Sequence, residues 1–188
     1  MADIGSTFTS LSRQQFRRYF QPSRIVIGLF PAPTKYGVNP ITLCFDMYCS
    51  YSPVMMAVAI HNVNASYELA KAATHYVLAV PGESLAKETI YCGTKSMRDM
   101  DKVAELGLDL SPGQSIPVPG LARAVANIEL TKEHIVGTGD HLLLIGKVRK
   151  FLVNRFNQEL PLLSIGPDTR GFRVLGQRGI HRIGVVDA

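Results

Sequence analysis

The chain has no tryptophan, only three cysteines and no hydrophobic run longer than seven residues. The longest run, residues 54–60, is far shorter than the roughly 20 apolar residues of a membrane-spanning helix, so we expect no membrane segment. The first residues, MADIGS, carry neither a basic stretch nor an apolar stretch, so nothing indicates secretion. Cys44, Cys49 and Cys92 lack the spacing of zinc ligands, which indicates reduced thiols in a cytoplasmic protein.

Most signatures of catalysis are also missing. The sequence has no Walker phosphate loop, no Gly-x-Gly-x-x-Gly after a strand, no His-Glu-x-x-His and no nucleophile elbow. Its five histidines have no metal-ligand spacing among themselves or with the cysteines, so we predict no metal site.

What remains is an ordinary globular composition. The 188 residues are 46% hydrophobic and 19% charged, without repeats or a linker, which predicts a single domain over 1–188. The formal net charge of +5 comes from dispersed basic residues, so a solvated surface explains it better than a polyanion site. Because no aromatic stripe interleaves with these residues, we expect no nucleic-acid partner.

Apolar patterning predicts a mainly β fold with inserted helices. Strands are expected at 24–30, 41–47, 54–60, 76–80, 125–133 and 141–153, with shorter ones near 162, 172–175 and 182–186. Residues 48–53 are expected to form a loop, and helices are expected at 12–20, 65–74 and 99–106. Because strands and helices do not alternate regularly, the pattern favours a small antiparallel barrel.

Four polar segments lie at predicted element ends, where binding sites are commonly built. The first runs from Asn39 to Cys44 and on to Ser50 and Pro53. An ordinary strand and loop explains it locally. The alternative is that small side chains leave backbone groups free to pair with a planar heterocycle.

The second segment, residues 61–67, opens a predicted helix. Asn64 or Ser66 is expected either to cap that helix or to join its N-terminal amides in binding a phosphate.

The third and fourth segments have local explanations too. In residues 91–102, Ser96 and Asp99 have capping-box spacing, and Cys92 is expected to be an inert thiol. In residues 137–141, Gly139 and Asp140 predict a turn that puts His141 first in a strand, as a structural residue or facing a cleft.

Together the segments resemble the flavin reductase-like, FMN-binding split β-barrel family over roughly residues 20–150. The family pattern Asn-x-x-Thr-x-(Ser/Ala), then Ser-x-x-Pro, is matched from Asn39 to Pro53, with Cys44 at the variable position. The pattern Tyr-Cys-Gly-x-x-Ser-Gly-Arg-Asp-x-Asp-Lys is matched from Tyr91 to Lys102, with Met97 replacing glycine. Gly-Asp-His-x-x-x-x-Gly-x-Val is matched in full from Gly139 to Val148.

This resemblance implies a six-stranded antiparallel Greek-key split β-barrel, with a core at about 20–150 and C-terminal strands at 151–188. It further implies a homodimer that binds FMN, or FAD as an alternative, and that passes hydride from NADH or NADPH to flavin N5. The reduced flavin would then supply a partner monooxygenase. The chemistry belongs to the cofactors, which explains why no acid–base pair is evident in the sequence.

The resemblance also implies roles for individual residues. His141 would lie on the nicotinamide side as the catalytic residue. The flavin ring would be held near the first segment and the ribityl phosphate near the second, while the third segment would supply further cofactor contacts. The implied cofactor-binding residues are Asn39, Thr42, Leu43, Cys44, Ser50, His61, Asn62, Asn64, Ser66, Tyr67, Cys92, Gly93 and Ser96.

Two other functions fit the same residues. One is a flavoredoxin-like electron carrier that holds FMN without reducing it from a dinucleotide. The other is an FMN-dependent enzyme that acts on an organic substrate, with residues 111–121 shaping a pocket.

The positive charge would steer anionic cofactors, while hydroxyl, amide and helix-end donors would hold the phosphate.

Overall fold

The computed structural model describes residues 10–16, 20–165, 172–174 and 183–186. Its helices are α1 (Arg13–Phe16), α2 (Ser66–Ala72), α3 (Ala86–Thr94) and α4 (Lys102–Leu106), and a 3-10 turn at Glu83–Leu85 precedes α3. The strands are β1 (Ser23–Arg24), β2 (Val26–Pro31), β3 (Val38–Leu43), β4 (Asp46–Tyr51), β5 (Val54–His61), β6 (His75–Val80), β7 (Leu110–Ser111), β8 (Gly120–Leu121), β9 (Ala126–Thr138), β10 (His141–Val153), β11 (Leu163–Ser164), β12 (Phe172–Val174) and β13 (Ile183–Val186). No helix in these ranges has the length and apolar character to cross a membrane.

Seven strands form one antiparallel sheet in the order β3-β2-β6-β9-β10-β5-β4. Its two edge strands, β3 and β4, are separated in the chain only by Cys44 and Phe45. The sheet therefore curls until its edges approach each other, which is the geometry of a split β-barrel. At this seam the Phe45 carbonyl accepts a hydrogen bond from the Ala59 amide of β5 at 2.9 Å.

The strands in the middle of the sheet are buried on both faces. Phe30 of β2 and Tyr76 of β6 stack inside the barrel with ring centroids 5.5 Å apart. On the opposite face of the same strands, Ile27 and Val77 pack under α3 and α4, where they join Cys92 in a second core. Burial on two faces explains why these segments are continuous apolar runs in the sequence.

One glycine of the matched Gly139–Val148 pattern is needed for this packing. A Cβ atom on Gly146 would overlap the Tyr76 hydroxyl and lie 2.9 Å from Tyr76 Cζ. Tyr76 is fully buried, and burial raises the pKa of its hydroxyl far above the ordinary value of 10.0. Gly146 is therefore a packing residue of the barrel and not a ligand of the site.

The split-barrel fold expected from the resemblance is confirmed, but the main sheet has seven strands and not six. The predicted strand 41–47 is in fact two strands, β3 and β4, which bend apart at Cys44 and Phe45. The prediction of a loop at residues 48–53 is wrong over 48–51, because an edge strand with an exposed face tolerates serine and cysteine. β9 also extends five residues beyond its predicted end at 133.

The helices compare with expectation as follows. Of the predicted helix at 12–20 the structure describes α1 (Arg13–Phe16), and residues 17–19 lie outside the described ranges, as do 175 and 182 of the predicted C-terminal strands. The predicted helix at 99–106 begins only at Lys102. Asp101 caps it by accepting hydrogen bonds from the amides of Val103 and Ala104, so the predicted capping box of Ser96 and Asp99 is wrong.

Candidate functional site

A cleft of about 700 Å³ opens at the seam of the barrel. Cys44 and Phe45 form its floor between the two edge strands, and α1 contributes Phe16 on one side. His61, at the end of β5, and His141, at the start of β10, lie on the rim. The cleft thus gathers residues from the first, second and fourth polar segments.

The two histidines face each other across neighbouring strands. His61 and His141 are direct partners in the β5–β10 ladder, and their ring centroids are 4.8 Å apart in an edge-to-face arrangement. Asp140 lies between them, with Oδ1 2.5 Å from His141 Nδ1 and Oδ2 3.5 Å from His61 Nε2. Phe45 closes the other side of the His141 ring at a centroid distance of 5.6 Å.

Hydrogen bonds define the protonation pattern of this cluster. His61 Nδ1 accepts from the Val63 amide at 3.2 Å, so in the neutral ring the proton is on Nε2, toward Asp140. His141 Nδ1 donates to Asp140 Oδ1, which leaves Nε2 as its nitrogen available to a molecule in the cleft. The bond from His141 holds the pKa of Asp140 below its ordinary value of 3.8, so the carboxylate is ionised at neutral pH.

A second carboxylate, Asp46, lies in the wall of the cleft. Its side chain is 1% exposed, and its Oδ2 lies 2.8 Å from Nη2 of Arg24, whose side chain is about half exposed. Burial raises the pKa of Asp46 above 3.8, and the Arg24 guanidinium opposes that shift.

A second cavity, of about 180 Å³, lies beside the start of α2. It is lined by three basic residues together with small residues from the start of α2 and the segment before it, from the end of α3 and from the loop that leads to α4: Lys95, Arg98, Lys102, Asn64, Ser66, Cys92, Gly93 and Ser96. Arg98 Nη1 donates to the Val63 carbonyl at 3.3 Å, which ties the loop to the segment before α2. The structure thus brings the second and third polar segments around one cavity.

Lys102 is the buried cation of this cavity. It is 3% exposed, and its Nζ donates to the Cys92 carbonyl at 3.3 Å. No carboxylate within the described ranges forms an ion pair with it. Burial lowers the pKa of Lys102 below its ordinary value of 10.5, because a charged ammonium is costly without a counter-charge.

Close packing of α3 against β3 fixes the position of this cavity. Thr42 Oγ1 donates to the Thr89 carbonyl of α3 at 2.5 Å. A Cβ on Gly93 would lie 3.2 Å from Thr42 Cβ, so glycine permits the close approach. The side chain of Thr42 is therefore occupied by the helix, and Leu43 is buried in the barrel core.

The start of α2 differs from the expected phosphate-binding helix end. α2 has only seven residues, and its N-cap is Ala65, with no side-chain capping bond. Ser66 is buried, and its Oγ accepts from Asn39 Nδ2 at 2.8 Å. Asn64 contributes its backbone carbonyl, which accepts from the Tyr67 amide at 3.0 Å.

Some predicted residues lie away from both cavities as the described residues define them. Ser50 is on β4, Asn62 bonds through its amide to the Asp140 carbonyl, and Tyr67 packs against the barrel core. The segment 111–121 lines neither of these cavities, but its residues Ser111, Gln114 and Leu121 line a separate cavity of about 550 Å³. No group of three metal-ligating side chains occurs in the part of the chain that the structure describes.

Several residues that the sequence reasoning did not select line these cavities, among them Phe45 and Asp140. Lys95, Arg98 and Lys102 belong to the matched Tyr91–Lys102 motif, whose basic residues were a usable signal. Asp46 had no such signal, because its burial depends on Arg24, which is 22 residues away.

The description "flavin reductase like domain" belongs to the family model that matches residues 16–172. The chain belongs to this family. A relative, an uncharacterized protein of Pyrococcus abyssi, is 32% identical over 99 residues, which make up 53% of this chain and 56% of that protein. The chain spans about half the length of the curated relatives it matches.

Solved structures agree with the family assignment at the level of the fold. The flavoredoxin of Methanosarcina acetivorans is similar with a TM-score of 0.78 and 16% identity, over 97% of this chain and 94% of that one. An NADH:FAD oxidoreductase of Streptomyces globisporus is similar with a TM-score of 0.71 and 16% identity, over 84% and 93% of the two chains. Two proteins that share this fold, a flavoredoxin and an NADH:FAD oxidoreductase, thus have names that state different activities.

Proposed function

We propose that the protein is an FMN-binding flavin reductase that uses NADH or NADPH, with FAD as an alternative flavin. The observation that carries this proposal is the buried ammonium of Lys102 beside a small cavity, with no carboxylate partner within the described ranges. A phosphate in that cavity would supply the missing negative charge. A bound flavin supplies the redox chemistry, because its N5 accepts a hydride from a nicotinamide.

The residues present fit a flavin phosphate. Lys102, Lys95 and Arg98 are cationic donors, and the hydroxyl of Ser96 lies in the same lining. This donor set differs from the uncharged one expected from the sequence, since three cationic residues line the cavity beside its hydroxyl groups. Charge-assisted hydrogen bonds to phosphate are about twice as strong as neutral ones.

The remaining part of the flavin is proposed to lie in the seam cleft. The two cavities are lined by nearby residues of the same two chain segments. Ile41 and Val63 line the second cavity, here called the basic cavity, and Cys44 and His61 line the cleft. A molecule with a phosphate at one end and a flat ring at the other could therefore span both. The volume of about 700 Å³ leaves room in the cleft for a second ring beside the first.

His141 is proposed to orient the dinucleotide. Its Nδ1–H is engaged by Asp140, so Nε2 is the atom that would accept or donate a hydrogen bond in the cleft. If His141→Ala reduced flavin at an undiminished rate with an unchanged KM for the dinucleotide, this role would be wrong.

The assembly and setting are proposed from the same resemblance. We expect a cytoplasmic homodimer, with a monooxygenase as the consumer of reduced flavin. Phe45 and Tyr51 on the edge of the barrel are 63% and 82% exposed, which favours their being covered in an assembly. A monomeric mass by light scattering at micromolar concentration would contradict the dimer.

A flavoredoxin-like electron carrier is the second candidate. The similarity to the Methanosarcina acetivorans flavoredoxin over almost the full length of both chains favours it. A carrier would bind FMN in the same pocket but would not need to bind a dinucleotide.

An absorption spectrum followed by anaerobic titration separates the candidates. Protein that binds FMN and bleaches rapidly with NADH or NADPH supports the reductase. Protein that binds FMN but is indifferent to both dinucleotides supports the carrier. Failure to bind added FMN would overturn both.

A further inference from the structure

His61 lies with Asp140 and His141 at the rim of the cleft, and the proposed function gives it no role. The sequence resemblance associated it with the ribityl phosphate, yet its ring lies against His141 and not in the basic cavity. We propose that His61 is a positioning residue for His141, holding the imidazole with Nδ1 on Asp140 and Nε2 free for the dinucleotide. This inference rests on the proposed function for the role of His141 in hydride transfer.

Two contacts of His61 carry the proposal. Its ring packs edge-to-face against the His141 ring at 4.8 Å, which limits rotation of that ring. Its Nε2 lies 3.5 Å from Asp140 Oδ2, so the Nε2–H group faces the carboxylate that holds His141 Nδ1. Without His61, Asp140 would lose one of its two neighbouring imidazoles, and its side chain is more than half exposed to solvent.

A third contact keeps His61 itself in place. Its Nδ1 accepts from the Val63 amide at 3.2 Å in the turn that leads to α2. This bond directs Nε2–H toward Asp140, and it also gives His61 a simpler role, which is to stabilise the turn. The positioning role and the turn role predict different effects for different substitutions.

Three substitutions at this position separate the contacts. His61→Asn places an amide oxygen near Nδ1 and keeps only the bond to Val63. His61→Gln places an amide nitrogen near Nε2 and keeps only the approach to Asp140. His61→Phe keeps only the ring packing. The exposed His134 of β9, changed to Asn, serves as the matched control away from the cleft.

Two measurements are made on each variant of the full chain. Nitrogen-15 NMR of labelled histidine at mildly alkaline pH reports which nitrogen of His141 carries the proton, and this readout does not require reductase activity. Steady-state oxidation of NADH with FMN gives kcat and KM for the dinucleotide, and flavin fluorescence gives the Kd for FMN.

Positioning predicts the largest effect in His61→Asn. The fixed Nδ1–H form of His141 is lost, and kcat/KM for the dinucleotide falls by roughly tenfold, as expected for a misplaced group at a reacting centre. The Kd for FMN stays within about twofold, while His61→Gln and His61→Phe keep part of the NMR signature. The control variant matches the wild type.

Two results would overturn the proposal. In one, His61→Asn keeps the wild-type His141 signature while His61→Gln and His61→Phe lose it, which assigns His61 to the turn. In the other, the His141 signature is unchanged in all three variants. A wild-type protein that shows the Nδ1–H signature but oxidises no dinucleotide would instead refute the proposed function and leave the geometric part intact.

Discussion

Replacing Lys102 with methionine tests the phosphate site most directly. Lys102→Met removes the one buried cation of the basic cavity and keeps a side chain of similar length. A hydrogen bond to a charged group contributes about 1.5 to 3 kcal/mol. Because Lys102 is only 3% exposed, solvent screening does not reduce this value much, and FMN binding should weaken by roughly 10- to 150-fold.

Exposed cations of the same cavity provide the matched comparison. Lys95 and Arg98 line the cavity from the solvent side. Exposed ion pairs contribute at most about 1 kcal/mol, so Lys95→Met should weaken FMN binding by no more than roughly fivefold.

The assay compares FMN with riboflavin, which carries the same ring without the phosphate. Quenching of flavin fluorescence gives both dissociation constants for each variant. Lys102→Met should weaken FMN and leave riboflavin within about twofold. Its flavin-free melting temperature should be unchanged or higher, because an unpaired buried charge is replaced by an apolar side chain.

Equal loss of FMN and riboflavin affinity in a folded Lys102→Met variant would refute this reasoning. It would mean that Lys102 supports the ring site through the α3–α4 loop and not the phosphate. No change in either constant would mean that the cavity is not where the phosphate binds.

Two further predictions concern stability. Gly146→Ala forces a methyl group against the buried Tyr76 hydroxyl and should lower the free energy of unfolding, measured in urea, by about 1 to 3 kcal/mol. The control Gly137→Ala, with open space around the added methyl group, should lower it by less than about 0.5 kcal/mol. Equal effects of the two substitutions would contradict the packing argument. Burial raises the pKa of the Cys92 thiol from 9.0 to about 12, so the folded state keeps a proton that the unfolded state releases. The unfolding free energy should therefore fall with rising pH across that interval, by up to about 1.4 kcal/mol per pH unit, and Cys92→Ala should fall less steeply than the wild type in denaturant titrations.

Strand patterning was the most informative signal in the sequence. The bounds of β6 and β10 were predicted almost to the residue. Both strands bury apolar side chains in the barrel core, and this burial produces the apolar pattern that is visible in the sequence. α3 was not predicted at all. Its sequence, AKETIYCGT, has no side-chain cap and contains a glycine, and its helical form depends on packing against β3.

The sequence could not predict which way the side chains of the site point. Asn64 and Ser66, which the resemblance assigned to the phosphate, line one cavity together with Gly93 and Ser96 of the third segment. However, no local pattern indicates that Ser66 turns inward to Asn39, because those two residues are 27 positions apart. The same limit hid His61, whose contact with His141 follows from strand register and not from its neighbours in sequence.

The split in the barrel suits the proposed position of the flavin ring. A fully closed barrel has no free strand edge, whereas β3 and β4 each have one edge with no strand paired to it in the described part of the sheet. Backbone N–H and C=O groups along such an edge can bond to a planar heterocycle without help from particular side chains. If the flavin binds as proposed, cysteine in place of serine or alanine at position 44 would be tolerated, because the backbone would do the binding, whereas the identity of Lys102 would matter, because the phosphate needs charge.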